Sequence, residues 1–110
     1  MLEIIAETVE DALAAEAGGA TQLDLKSDFH QDGLSPTAGM VEQICKRVDI
    51  GVIIMIRAHV RSLMCSADDI DVMCTDIRLS CERGAAGFLL GAITAEGRID
   101  LDAVGCFQEA

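Results

Sequence analysis

Aromatic side chains are almost absent from this 110-residue sequence, which contains no Trp, no Tyr and only three Phe. Half of the residues are nevertheless hydrophobic (51%), so we expect an aliphatic core of Ile, Leu, Val, Met and Ala. The chain has a single Pro and no low-complexity tract, a composition that is not typical of a disordered protein. Its length suffices for one small domain with one core.

Basic residues are scarce as well: eight Lys and Arg stand against nineteen Asp and Glu, which gives a net charge of −11. This charge repels nucleic-acid phosphates and anionic membranes, so we expect neither as a partner. The longest apolar run, Ile50–Ile56, is far too short to span a bilayer. The first residues lack the basic leader of a signal peptide. The sequence therefore predicts a soluble, cytoplasmic protein.

Cysteines are present, but they lack the spacing of a metal or redox motif. Their odd number and the lack of any Cys-x-x-Cys pair argue against a zinc site and against a disulfide framework. Cysteine is often buried as a small hydrophobic residue, and we expect that role for all five. They are Cys45, Cys65, Cys74, Cys81 and Cys106.

Short apolar runs alternate along the chain with signals for the start of a helix. The runs predict strands at Leu2–Glu7, Thr21–Ser27, Ile50–Arg57 and around Phe88–Leu90. The helix signals are Thr8 with Asp11, Pro36 at a first helical position, Ser66 with Asp69, and Asp100. The third run is nearly continuous in apolar residues, as expected for a strand covered on both faces. The order βαβαβαβα predicts an α/β domain with a parallel sheet and helical crossovers.

Several stretches of the sequence carry a resemblance to a known family. The longest are EDALAAEAGGA (Glu10–Ala20), DGLSPTAGMVE (Asp32–Glu42) and GAAGFLLGAITAEGRIDLDA (Gly84–Ala103). With shorter matches between them, they resemble the N-terminal half of the copper homeostasis protein CutC family over nearly the whole chain. That family folds as a (β/α)₈ barrel, so the resemblance implies a partial TIM barrel. We expect one half-barrel domain, residues 1–110, with about four βα units around a parallel sheet.

The resemblance also implies a role in intracellular copper handling. The family's candidate ligands for the cuprous ion (Cu⁺) are cysteines near the ends of the first two strands. This chain has Ile5 and Lys26 at the matching positions, and neither can replace the soft thiolate that Cu(I) prefers. The loop after the third strand, where the family continues Met-Ile-Arg with Pro-Arg-Gly-Gly-Asp-Phe, differs here from Ala58 to Leu63.

Four charged residues fall where the site of a barrel enzyme is expected. Alternate strand residues face the same side, so Asp24 and Lys26 project together. In barrel enzymes, polar residues at the carboxyl ends of strands generally form the site. Glu3, Asp24, Lys26 and Arg57 could therefore converge to bind a small anionic ligand. Alternatively, Asp24–Lys26 and Glu3–Arg57 neutralise each other as ion pairs inside the barrel.

A second group of residues has the chemistry of a soft metal site. His59, Met64 and Cys65 lie in the loop that differs from the family, and their side chains are soft or borderline ligands. They are candidate ligands for Cu(I), although they match no known motif. We interpret His30, in another loop, as a solvated histidine.

Three functions are compatible with these patterns. The first is a CutC-like protein of copper homeostasis. The second is a barrel-derived enzyme that acts on a small anionic substrate through Asp24, Lys26 and Arg57. The third is a truncated, inactive product. Four strands cut from a barrel also leave two apolar edges, Leu2–Ala6 and Phe88–Ala92, which predict a homodimer or a larger homo-oligomer.

Overall fold

The computed structural model of the protein describes all 110 residues. Four β-strands and four α-helices alternate along the chain. The strands are β1 (Glu3–Ala6), β2 (Gln22–Leu25), β3 (Gly51–Ile56) and β4 (Gly87–Leu90); the helices are α1 (Val9–Ala17), α2 (Ala38–Arg47), α3 (Ala67–Glu82) and α4 (Leu101–Glu109). The strands form one sheet in the order β1-β2-β3-β4, and every neighbouring pair is parallel. This confirms the predicted α/β order and the parallel sheet.

Three helices begin at the caps that the sequence predicts. The Thr8 hydroxyl accepts the N–H of Asp11 at 3.0 Å, and the Asp100 carboxylate accepts the N–H three residues further on at 3.1 Å. At the start of α3, Ser66 and Asp69 form a reciprocal capping box, with bonds of 3.0 and 2.9 Å. Each cap satisfies a backbone N–H that the first helical turn leaves unpaired.

The prediction that α2 starts at Pro36 is wrong by two residues. Helix α2 begins at Ala38, and the hydroxyl of Thr37 caps it by accepting the N–H of Met40 at 3.2 Å. A threonine hydroxyl can accept this bond, whereas proline offers no side-chain acceptor. Pro36 therefore lies before the cap rather than in the first turn.

The helices cover only one face of the sheet. The β2 and β3 side chains on that face are fully buried: Leu23, Leu25, Val52, Ile54 and Ile56. The register places Ile5, Asp24 and Ile53 side by side on the opposite face, which we call the inner face. On this face Ile5 is 43% exposed and Leu89 47% exposed. Within residues 1–110, helices therefore cover β3 on one face, whereas the sequence predicts cover on both.

One hydrophobic core fills the space between the sheet and the helices. A cluster of 15 buried residues extends from Ala6 in β1 to Phe107 in α4. A single contiguous core of this kind is typical of one domain. No helix has both the length and the apolar character that crossing a membrane requires.

Two of the cysteines depart from their predicted burial. All five are free thiols; Cys81 and Cys106 are exposed and the other three are half-buried. Cys81 lies on the last turn of α3 and lines a groove beside Phe88 and Leu90 of β4. The groove lies beside the edge strand β4 of these 110 residues, which explains why Cys81 is exposed here.

The loop between β2 and α2 folds back over the inner face. Ser27 and Leu34 pair through two backbone hydrogen bonds of 2.9 and 2.7 Å. Gly33 lies in this loop with φ of +99°, and a Cβ atom there would be 2.7 Å from Met55 Sδ and 2.8 Å from Lys26 Cδ. Glycine is therefore required at this position both by its backbone conformation and by the close approach of the loop to β2 and β3.

We expect Gly33→Ala to destabilise the protein more than Gly19→Ala. Gly19 has nearly the same φ, +100°, but nothing lies within 4 Å of its Cβ position. Gly19→Ala should therefore cost only the backbone strain, about 1 kcal/mol. Gly33→Ala should cost about 1 to 3 kcal/mol more, because the added methyl group overpacks the site. Urea unfolding followed by circular dichroism, at one protein concentration, measures both. Equal losses for the two variants would contradict the close packing of the loop.

Candidate metal centre

Asp24 and Lys26 form a buried ion pair on the inner face. Lys26 Nζ lies 3.0 Å from Asp24 Oδ2, and the two side chains are only 8% and 7% exposed. The ring of Phe29, in the loop that covers the pair, has its centroid 5.7 Å from Lys26 Nζ. The charge of the lysine is thus already balanced by a carboxylate in a site closed to solvent.

The structure does not bring the other two charged residues to this pair. The Glu3 carboxylate accepts a hydrogen bond from the side-chain amide of Gln22 at the opposite end of the sheet. Arg57 donates from Nε to the His59 carbonyl at 3.0 Å and from Nη2 to the Val60 carbonyl at 3.4 Å. Of the four residues predicted to converge, only Asp24 and Lys26 meet. Arg57 instead organises the loop that follows β3.

In that loop, His59 is held by the carboxylate that caps α3. His59 Nε2 lies 2.9 Å from Asp69 Oδ2, and both side chains are about four-fifths buried. The pKa of the Asp69 carboxyl lies below its usual range, chiefly because the Ser66 backbone N–H donates to it and also because His59 does. The other ring nitrogen, His59 Nδ1, is buried and has no hydrogen-bond partner. In its neutral form the imidazole can accept a hydrogen bond or bind a metal at this nitrogen.

Two sulfur atoms lie close together beside this histidine. Cys65 Sγ is 3.8 Å from Met73 Sδ. Both residues and His59 line a small cavity of about 10 Å³, which we call the sulfur cavity. The remaining lining residues are Arg57, Ala58, Ser62, Leu63, Asp69 and Gly91. The cavity is about the size of one water molecule, so it could accommodate a single ion.

The thiol of Cys65 loses its proton less readily than an ordinary cysteine thiol does. Burial raises the pKa of the Cys65 thiol, and the carboxylates of Asp69 and Asp100 raise it further. Because the thiolate is the form that binds metal, binding at Cys65 must displace a proton.

The predicted metal candidates His59, Met64 and Cys65 separate into two groups in the structure. His59 and Cys65 line the sulfur cavity, whereas Met64 is 48% exposed and lines an open outer groove with them. Met73 also lines the cavity. In the sequence it recurs with other apolar residues of α3 at helical spacing, a pattern that predicts a core side chain. Only the folding of the loop onto α3 shows that its sulfur meets Cys65.

The positions of the family's cysteine ligands do not fit a copper ion in this chain. Ile5 is an apolar side chain on the inner face, and Lys26 is a cation already paired with Asp24. Neither offers a sulfur or an uncharged nitrogen donor.

The donor set of the sulfur cavity consists of a thiol, a thioether and an imidazole nitrogen. No group of three or more His, Cys, Asp or Glu side chains is arranged to hold a metal ion. The methionine sulfur beside Cys65 is a soft donor, which suits a soft ion better than calcium.

Comparison with known proteins places the chain in a family. The model of the CutC family matches residues 1–110. The copper homeostasis protein cutC homolog of Homo sapiens is 37% identical over 100 residues, which are 91% of this chain and 37% of the human protein. A CutC family protein of Xanthomonas campestris is 33% identical over 109 residues, which are 99% of this chain and 45% of that protein. The chain thus spans less than half the length of these relatives.

Solved structures show the same fold. The crystal structure of CutC from Streptococcus agalactiae superposes with a TM-score of 0.89 at 21% identity, over 99% of this chain and 54% of that one. A phosphonomutase from Burkholderia cenocepacia superposes with a TM-score of 0.65 at 19% identity, over 96% of this chain and 44% of that one. At these identities the likeness concerns the fold alone, an α/β partial barrel. Because the family model covers every residue, this chain belongs to the CutC family.

Proposed function

We propose that this protein binds Cu(I) in the sulfur cavity and serves in copper homeostasis. The observation that carries the proposal is the 3.8 Å approach of Cys65 Sγ to Met73 Sδ in one small cavity that His59 also lines. Support comes also from the name of the human relative, copper homeostasis protein cutC homolog. Copper is the cargo in this proposal, not a resident cofactor.

The two sulfur atoms have a separation that suits a shared ion. At the metal–sulfur distance of about 2.3 Å that thiolates make with zinc, sulfurs 3.8 Å apart can both bind one metal ion. Thiolate and thioether are soft ligands, and Cu(I) is among the metals that prefer them. The negative charge of the Cys65 thiolate would neutralise the ion inside the cavity.

The hydrogen bond to Asp69 prepares His59 for the third position. The ionised Asp69 carboxylate accepts a hydrogen bond from the Nε2–H group of His59, which keeps the proton of the neutral imidazole on Nε2. The lone pair of Nδ1 is then free to bind a metal. Metal-binding histidines almost always donate their other N–H to a carboxylate or carbonyl in this way. The arrangement accounts for the buried, unpartnered Nδ1 atom.

No specific observation favours the hypothesis of an enzyme with a small anionic substrate. Lys26 is balanced by Asp24 and covered by Phe29, and Arg57 donates to two loop carbonyls. The two cations of that hypothesis therefore do not face one open site.

Ligand substitutions should lower the affinity for Cu(I), and matched substitutions should not. We expect Cys65→Ser to weaken binding more than about 100-fold, and Met73→Leu or His59→Asn about 10-fold or more. The measurement is competition against a chromophoric Cu(I) chelator under anaerobic, reducing conditions. The parent should carry Cys81→Ser and Cys106→Ser, because exposed thiols bind copper adventitiously.

The chain supplies a control for each ligand. Cys45→Ser removes another half-buried thiol, Met64→Leu an exposed methionine of the same loop, and His30→Gln an exposed histidine. If these controls lose as much affinity as the ligand variants, copper does not bind in the sulfur cavity.

The affinity for Cu(I) should rise with pH. The pKa of the Cys65 thiol is raised, so the thiol stays protonated at neutral pH and binding must release its proton. Below the raised pKa, we expect about a tenfold gain in apparent affinity per pH unit, since one proton competes with the metal. Competition titrations between about pH 6.5 and about pH 8.5, below the raised pKa, test this. The Cys65→Ser variant should show a markedly smaller slope; an equal slope would show that another thiol is the ligand.

Asp69→Asn should weaken Cu(I) binding about 10- to 100-fold through its contact with His59, although it replaces none of the three proposed ligands. The side-chain amide of the new asparagine can donate its NH₂ group to His59 Nε2. The imidazole proton can then move to Nδ1, which is no longer free to bind a metal. Asp68→Asn is the control, because it changes the same charge in the same helical turn without contacting His59. Equal affinities of the two variants would contradict the role given to Asp69.

A further inference from the structure

We propose that Cys74 and Cys106 form a reversible redox pair, in which a small disulfide of the glutathione type converts their two thiols into one disulfide between α3 and α4. Both residues are free thiols in the structure. Neither belongs to the proposed copper site, so the redox pair is independent of copper binding.

The two cysteines lie at the interface between α3 and α4. These helices pack against each other, and both contribute to the single hydrophobic core. Each cysteine is next in sequence to a buried core residue: Cys74 follows Met73, and Cys106 precedes Phe107. The core that joins the two helices therefore also fixes where the backbone holds the two cysteines.

The Cys74 side chain contacts Cys106 across this interface. Cys74 Sγ lies 3.7 Å from the carbonyl oxygen of Cys106, to which the thiol can donate a weak hydrogen bond. Within Cys106, only the carbonyl carbon, Cα and Cβ separate that oxygen from the sulfur. The Cys106 side chain is exposed, so it can change its χ1 rotamer without displacing core atoms. We therefore expect rotation of side chains, rather than unfolding of either helix, to bring the two sulfur atoms together.

The titration of Cys74 also indicates that the two thiols are neighbours. Burial raises the pKa of the Cys74 thiol most, and the Cys106 thiol raises it further because two thiolates repel each other. Arg78 lowers this pKa and Asp71 raises it. Because Cys74 loses its proton less readily than an ordinary thiol, it is suited to the second of two exchange steps, after Cys106 has reacted.

The other three cysteines are engaged elsewhere. Cys81 follows Cys74 by two turns on the same helix, about 10 Å along the axis, whereas the Cα atoms of a disulfide lie at most about 7 Å apart. The sulfur of Cys65 contacts Met73. Cys45 packs against the turn that follows α3. Cys106 is therefore the partner that the structure offers to Cys74.

Oxidation proceeds by two exchange steps. The Cys106 thiolate attacks one sulfur of a disulfide RSSR, whose S–S bond breaks, and the first RS⁻ leaves and takes up the proton that Cys106 has lost. The Cys74 thiolate then attacks the Cys106 sulfur of the mixed disulfide and releases the second RS⁻, which is protonated in the same way. Two protein thiols thus lose two electrons and two protons, and RSSR becomes two RSH. An excess of RSH reverses both steps.

The disulfide would tie α4 to α3 covalently. It joins positions that are 32 residues apart, so it restricts the unfolded chain more than the native one. The oxidised protein should therefore unfold at a temperature about 10 °C above that of the reduced protein. The balance between small thiols and disulfides in the surroundings would then set how firmly α4 is held against α3.

Mass spectrometry of the 110-residue chain after incubation with oxidised glutathione tests the pairing. The parent carries Cys81→Ser, which removes the other exposed thiol. We expect the mass to fall by two hydrogen atoms, and peptide mapping to show one cross-link, between Cys74 and Cys106. Cys74→Ser should stop at the mixed disulfide on Cys106, and Cys106→Ser should form no cross-link. Cys45→Ser is the control and should cross-link as the parent does. A cross-link between any other pair would overturn the proposal.

A redox titration then shows whether the fold holds the two thiols together. In mixtures of reduced and oxidised glutathione, the native parent should form the disulfide about 100-fold more favourably than the same chain in concentrated urea. Equal midpoints in the two states, or equal unfolding temperatures of the oxidised and reduced protein, would refute the pair. The copper titrations use a parent without Cys106, so each proposal is tested without the other.

Discussion

The parallel sheet is covered by helices on one face only, and the rest of the structure depends on this constraint. A parallel sheet is normally buried on both faces, since its crossovers and its partners supply two layers of apolar cover. Here the helices bury Leu23, Leu25 and Ile54, while Ile5 and Leu89 on the inner face stay half exposed. Within these 110 residues the inner face therefore carries the apolar side chains that the helices leave uncovered.

The candidate metal site lies at the join between the β3 loop and the start of α3. Asp69 accepts bonds from Ser66 and from His59, so one carboxylate both caps the helix and orients the imidazole. The same helix carries Met73 one turn further on, against Cys65. Helix capping, a local requirement of α3, thus also holds His59 beside the cavity that Cys65 and Met73 line. Positions that carry cysteine ligands elsewhere in the family hold Ile5 and Lys26 here, so the chain offers its sulfur donors at another place.

Much of the fold could be predicted from local signals, because strands and caps are properties of a few consecutive residues. The Thr8, Ser66 and Asp100 caps and the four apolar runs predicted the βαβαβαβα order. Burial could not be predicted in this way where it depends on distant elements: Cys81 has the helical spacing of a core residue and is exposed beside β4. The site was predicted only in part for the same reason. His59 and Cys65 stand out by residue type, but Met73 resembles any core methionine until the loop folds onto it, and the bonds of Arg57 to loop carbonyls have no sequence pattern.

The central claim is that Cys65, Met73 and His59 are the ligands of a cuprous ion. X-ray absorption spectroscopy of the protein loaded with one equivalent of Cu(I), with Cys81 and Cys106 replaced by serine, tests it most directly. The account predicts a three-coordinate Cu(I) ion with two sulfur neighbours and one imidazole nitrogen, and the loss of one sulfur in the Met73→Leu variant. A spectrum without sulfur neighbours, or one that Met73→Leu leaves unchanged, would contradict the account.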